Sequence, residues 1–309
     1  MATDLASCPE MPAQAWAVMV VADRGAAWRM LREAGPVLRH GDTLILTRRP
    51  DVVAALHDPA LDVVRLHRHH RNPEAQAAIK RLFAPQPSRR MAQGFRPFAA
   101  TLIDLFTAAG GGDAITGVTN PMAAAMFAYL GITDIGGAAN GIPNLVHQLG
   151  FTLYELSRRP ELPGILARQP ELTGPFIEET MRLEPTVHFL DRRTTRPTTI
   201  AGVGLPAGAG VVLLTAAIAR DHSDPLSGDE LLIGATRAGR HWAFGAGPHR
   251  CPGAHFVRET LKIVVAEWVA RTAGRVQLDP AYRPEICVPA GSLDGGVWLA
   301  HLPLRIAAE

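Results

Sequence analysis

The chain has 309 residues, 47% hydrophobic and 19% charged, with a formal net charge of +2. This is enough apolar content for a substantial core, and with no basic block it gives no sign of a nucleic-acid partner. Three cysteines far apart argue against a disulfide framework and fit a reducing cytoplasm, while 29 Gly and 25 Pro fall short of a disordered composition.

Taken in order, Met1 to Gln14 carries Asp4 and Glu10 and no basic region. The apolar run Ala15 to Ala22 is too short to cross a bilayer and lacks the flanks of a signal peptide, so no membrane partner is expected. Ala26 to Ala34 reads as a helix stopped by Gly35-Pro36. Val37 to Thr47 reads as a hairpin turning at Gly41-Asp42, and Arg49-Pro50-Asp51 starts a helix. His67-Arg-His-His-Arg71 has no carboxylate spaced with it and reads as a solvated basic loop. Asn72 caps a helix through Phe83 with Pro73 at its first position, and Ser88 to Ala108 is a further helix. Gly110 to Asp113 breaks the pattern, and Pro121 to Leu130 is a short apolar helix. In Thr173 to Pro185, Glu179 and Arg182 share one helical face at i, i+3. Arg193 to Asp221 alternates strands with Gly/Pro turns, and Val276 to Ile306 gives short β runs. No internal repeat is present.

The informative stretch is His241 to His255. Its glycines, Gly245, Gly247 and Gly253, allow tight turns and close approach to a bound group. Cys251 is placed at the N-terminus of an apolar-periodic helix, a setting that favours thiolate. A lone thiolate is a nucleophile or a metal ligand. Neither zinc spacing nor a C-x-x-C pair is present, and a single thiolate on an iron whose other ligands come from a macrocycle fits better.

Phe244-Gly-Ala-Gly-Pro-His-Arg-Cys251-Pro-Gly253 resembles the haem-binding loop of the cytochrome P450 family, and Glu179-x-x-Arg182 resembles that family's buried ion pair. The resemblance runs from about Arg24 to the end. It implies a mainly α fold with small β-sheets (α+β), a truncated cytochrome P450 fold in a single domain over residues 1–309. It implies haem b as cofactor with Cys251 on the iron, Phe244, Gly245 and Gly253 in the cofactor loop, and Arg193 and His249 on the propionates. Gln76 and Lys80 stand where the family carries a His and an Arg toward a propionate. The long central helix is anchored by its ending Leu156-Ser-Arg-Arg-Pro160. Pro143 and Asn144 then fall where an acid and an alcohol normally relay protons, and His147 lies one turn beyond Asn144 as a candidate acid. Two segments over the distal face are shortened: the loop from Leu61 to Asn72, and the lid helices, whose deletion falls near 134–137.

These features imply a haem-thiolate oxidoreductase of monooxygenase type with a ferredoxin-type partner, for which Arg89, Arg90, Arg258 and Lys262 are candidate docking residues. The shortened lid implies an open distal pocket. The expected substrate is a bulky, carrier-bound or peptide-bound natural-product intermediate, or the open face is covered by a homodimer partner. Pro143 and Asn144 keep two alternatives open. One is peroxide-driven, coupling or redox-neutral chemistry on the same fold. The other is a non-catalytic haem-binding partner protein.

Overall fold

The computed structural model describes residues 2–11, 24–63, 72–130, 141–221, 228–234, 241–287 and 296–308. The His-rich tract and the lid junction near 134–137 lie outside the described residues.

Strand β1 (Thr3–Asp4) precedes helix α1 (Arg24–Ala34), which buries Trp28 and Leu31. Strands β2 (Val37–His40) and β3 (Thr43–Leu46) form the expected hairpin, with Gly41 left-handed at φ 55° in the turn. Helix α2 (Arg49–His57) has Pro50 in its first turn, and β4 (Leu61–Val63) follows. Helix α3 (Pro73–Leu82) is capped as anticipated: Asn72 Oδ1 accepts from the amides of Glu74 and Ala75 at 2.9 and 3.2 Å. Helix α4 (Pro85–Ala108) starts three residues before the expected Ser88 and runs through Pro97. Strand β5 (Gly111–Asp113) leads into a π-turn, Ile115–Thr119, which joins α5 (Asn120–Tyr129).

Helices α6 (Gly141–Ser157), α7 (Leu162–Arg168) and α8 (Thr173–Leu183) precede β6 (Leu190–Thr194), β7 (Thr198–Ile200), β8 (Val203–Leu205), β9 (Gly210–Leu213) and short α9 (Thr215–Ala219). Helix α10 (Ala254–Thr272) ends where Ala273 and Gly274 turn left-handed. Strands β10 (Val276–Leu278), β11 (Ile286–Cys287), β12 (Trp298–Leu299) and β13 (Pro303–Ile306) complete the described fold.

The helices form one body, in which Phe106 meets Trp268 at 5.7 Å and Phe95 meets Phe256 at 6.5 Å between α4 and α10. Phe151 and Leu153 of α6 and Phe176 and Ile177 of α8 join the same core. The main sheet, ordered β2-β3-β9-β6-β4, covers two smaller cores with α1, α2 and α9. The Cys251 loop runs from the helical body to this sheet. Its two ends rest on α8 and α10 while Gly247 in its middle lies against α2, and the position of Cys251 depends on how these layers are tied together. The helix-rich body with small sheets bears out the fold read from the sequence.

Candidate functional site

The loop from His241 to Gly253 enters α10 directly, with Gly253 as N-cap. Gly245 and Gly247 have φ of 62° and 66°. A Cβ at Gly247 would overlap the Leu56 carbonyl of α2, so only glycine lets the loop lie this close to the sheet layer. The Cys251 amide donates to the Phe244 carbonyl at 2.9 Å, closing the loop on itself. Burial pushes the Cys251 thiol up, and the amides of Gly253 and Ala254 and the charges of Arg250 and Arg258 oppose that without cancelling it. The helix terminus does not by itself hold this sulfur as a thiolate, contrary to the sequence reading, because burial removes more hydration than two amides return. Among the described residues no group of three or more His, Cys, Asp or Glu is arranged to hold a metal ion.

Behind the loop, Glu178 of α8 accepts from Arg258 Nε at 2.6 Å, Arg258 Nη2 at 2.8 Å and His241 Nε2 at 3.0 Å. Burial raises its carboxyl, but these hydrogen bonds and charges outweigh burial and hold it down to about 2. The Arg258 guanidinium lies 4.5 Å over the Phe244 ring. One residue on, Glu179 and Arg182 form the anticipated buried pair, with two contacts of 2.8 Å. Arg182 also donates to the carbonyls of Ala219, Gly228 and Glu230, and Glu179 accepts from Leu232.

On the sheet side the two neighbouring arginines of β6 face opposite ways. β6 alternates, with Arg192 and Thr194 buried and Arg193 exposed. Arg193 donates to the Gly208 carbonyl at 3.1 Å on the outer side. Arg192 shares its surroundings with His249 and Asp62. Burial and then the Arg192 charge lower His249, whose Nε2 lies 3.6 Å from Asp62 Oδ1. Burial also lowers Arg192, against Asp191 and Asp62.

The remaining candidates are dispersed. Gln76 is half-buried and Lys80 exposed on α3, a helix with no buried residue. Pro143 and Asn144 are half-buried in the first turn of α6. His147 stacks on Trp298 with ring centroids 5.2 Å apart and planes at 20°. Together they line a cleft of about 150 Å³ with Ile115, Thr119, Asn120 and Val146, which are residues of the π-turn, α5 and α6 rather than of the Cys251 loop. Burial lowers His147 to about 4.

The sign of this shift gives a test. An unfolded imidazole takes up a proton near 6.5, whereas the folded one resists until about 4. Lowering the pH through that window therefore favours unfolding. Urea titrations at neutral and acid pH are expected to show His147→Phe, which keeps the stacking, losing about 1–2 kcal/mol less stability than the parent chain. Equal losses would remove His147 from this account.

Sequence reasoning did not anticipate a buried charge cluster beneath α1. There Arg24 and Arg220 both pair with Glu184, and Arg220 reaches Asp229 at 2.8 Å. Its members come from four distant segments that only the fold unites.

Comparison with known proteins agrees with these features. Residues 169–224 match the family model described as Cytochrome P450. Cytochrome P450 144 of Mycobacterium tuberculosis is 34% identical over 125 residues, 40% of this chain and 29% of the relative. Protein DesVIII of Streptomyces venezuelae is 34% identical over 149 residues, 48% of this chain and 37% of its own length. The chain thus aligns with about a third of the length of these relatives. In fold it is similar to Cytochrome P450-153 from Novosphingobium aromaticivorans, with TM-score 0.77 and 20% identity over 96% of this chain and all of that one. It is also similar to P450BioI in complex with a hexadec-9Z-enoic acid ligated acyl carrier protein, with TM-score 0.75, 17% identity, and 92% and 99% of the two chains covered. No helix among the described residues is long and apolar enough to cross a membrane. The chain is thus similar to cytochrome P450 proteins, in sequence over part of its length and in fold over most of it.

Proposed function

We propose that the protein is a haem-thiolate oxidoreductase in which Cys251 Sγ is the axial ligand of haem b. The observation that carries this reading is the lone Cys251 sulfur facing the Gly253 and Ala254 amides in a loop buttressed from both layers. The residues fit the group. A buried thiol with too little local positive charge to ionise is turned into a thiolate by a coordinated cation. Arg192 and His249, gathered where the sheet meets the loop, are suited to a pair of carboxylates. Thiolate-held haem supplies activation of dioxygen or peroxide when bound. The chain's own part is to hold the sulfur, to neutralise the propionates and to position the substrate.

Arg192 rather than Arg193 is assigned to a propionate. Arg192→Ala is expected to lower haem retention about tenfold, the loss of a charge-assisted bidentate contact, while Arg193→Ala leaves it unchanged. Haem content after gel filtration checks this, and equal effects would return the role to neither residue. A reduced carbon-monoxide difference spectrum tests the haem-thiolate reading itself.

For the substrate, the family resemblance implies that the lid region near 134–137 is shortened. A small free substrate would be poorly shielded from water. A bulky or carrier-presented natural-product intermediate fits better, and the acyl carrier protein bound by the structurally similar P450BioI supports that choice. A second chain covering the same face is the other occupant consistent with the shortened lid.

For an acidic ferredoxin, Arg89 and Arg90 are exposed on α4. Arg258 is engaged by Glu178 and Phe244, and Lys262 pairs with Glu259 at 3.0 Å. Docking is therefore assigned to the α4 arginines. Pro143 and Asn144, which offer no relay proton, favour a second reading of peroxide-driven, coupling or redox-neutral chemistry. Product formation with ferredoxin and a nicotinamide reductant, compared with peroxide or no oxidant, separates the two.

A further inference from the structure

We propose that Glu178 is the positioning residue of the thiolate loop, acting through Arg258 and His241; this rests on the haem-thiolate reading of Cys251. Two adjacent carboxylates on α8 are put to different uses. Glu179 turns to Arg182 within the helix and to the chain around Gly228–Leu232. Glu178 turns to the Cys251 loop and to α10, and its two oxygens collect three donors.

Two arms then run from Glu178 to the sulfur. The first passes through Arg258, whose guanidinium is held in one plane by the bidentate contact and lies 4.5 Å over Phe244. The second passes through His241. Its Nδ1 accepts from the Ala243 amide at 3.2 Å, which puts the ring proton on Nε2, where it donates to Glu178 at 3.0 Å. Both arms meet at Phe244, whose ring carries the guanidinium and whose carbonyl accepts the Cys251 amide at 2.9 Å. The carboxylate thereby fixes one helix, the entry of the loop and the ring beside the cysteine in a single constellation. A ligand held by such an outer shell keeps its orientation when the metal changes state.

The geometry also assigns Arg258 its role. Its guanidinium is held over the Phe244 ring beside the cysteine's backbone anchor, and Glu178 sets where that charge sits. Without the carboxylate, Arg258 and His241 lose their common acceptor, and the loop can relax to a form in which the sulfur is protonated or displaced.

The experiment uses the full chain reconstituted with haem. Variants Glu178→Ala and Glu178→Gln are compared with Arg96→Ala, which breaks the Arg96–Glu267 contact on α10 away from the loop. Each is read by thermal stability and by the ratio of thiol-type to thiolate-type signal in the reduced carbon-monoxide spectrum. Glu178→Ala is expected to raise that ratio about tenfold, the cost of one charge-assisted tether. Glu178→Gln, which keeps a single acceptor oxygen, is expected to raise it less. Arg96→Ala is expected to leave the ratio at the parent value despite any loss of stability.

If Glu178→Ala does not fold, Glu178→Gln decides alone. A parent-like ratio in Glu178→Gln overturns the proposal, as does an equal rise in Arg96→Ala at matched stability. A parent chain that gives no thiolate-type signal removes the haem-thiolate reading and this inference with it, an outcome distinct from a normal parent with silent Glu178 variants.

Discussion

Arg182→Ala is expected to remove most of the folding stability of this protein. Arg182 is 2% exposed, and each of its five N–H donors has an acceptor: two on Glu179 and three on the carbonyls of Ala219, Gly228 and Glu230. Truncation leaves the Glu179 carboxylate, also 2% exposed, without its counter-charge. Breaking a buried pair from one side costs about 3–5 kcal/mol, and the three orphaned carbonyls add to it. A domain has about 5–15 kcal/mol in total, so the variant sits near its unfolding midpoint.

Arg182→Lys separates charge from geometry, because an ammonium has only three donors for five acceptors. It is expected to fall between the parent and Arg182→Ala. Removing both partners in Glu179→Leu with Arg182→Met should recover part of the loss, because no charge is then stranded. Urea titration of the four proteins measures this. A loss below about 1 kcal/mol in Arg182→Ala would show that water or another group replaces the guanidinium.

The parts of the fold legible in the sequence were those fixed by short-range chemistry. Asn72-Pro73 at the start of α3 and Gly41 in the first hairpin each act on their immediate neighbours, and the structure has them where expected. Glu179 and Arg182 were legible because a helix puts i and i+3 on one face. Which of the two β6 arginines is buried was not legible, for a different reason. In Leu190-Asp-Arg-Arg-Thr194 polar residues stand on both faces, so hydropathy alone does not set the phase of the strand. The pairing of β6 with β9 and β4 does.

Glu178 was overlooked because its partners are His241 and Arg258, far along the chain, and an acid next to Glu179 reads locally as a solvated helix residue. The surroundings of His147 were hidden for the same reason, since its ring partner Trp298 lies far along the chain. What the sequence hides in each case is a long-range contact that decides whether a polar side chain is buried with a partner or left in water. Functional sites concentrate such contacts, so they are read from sequence less completely than the helices that carry them.

Cys251→Ala is expected to abolish the thiolate-type carbon-monoxide spectrum and to lower haem-dependent turnover by more than about 100-fold, since loss of a metal's supporting shell alone costs 10–100-fold. The fold should survive. The Cys251 thiol is enclosed, but the residue as a whole keeps some exposed surface and belongs to none of the hydrophobic clusters, which are built on residues such as Trp268, Leu44 and Trp28. Removing one thiol from such a position costs little packing, so a folded, thermally stable protein with no thiolate signal is the expected result. The other cysteines serve as controls. Cys8 is buried against the small sheets and Cys287 lies on β11, paired across the strand with Trp298. Burial raises both thiols. Cys8→Ser and Cys287→Ser should therefore leave the spectrum unchanged. A thiolate signal that persists in Cys251→Ala and disappears with either of these would move the ligand away from the loop. Loss of signal together with loss of folding in Cys251→Ala would show instead that the loop is held by its cysteine rather than by Glu178 and the glycines.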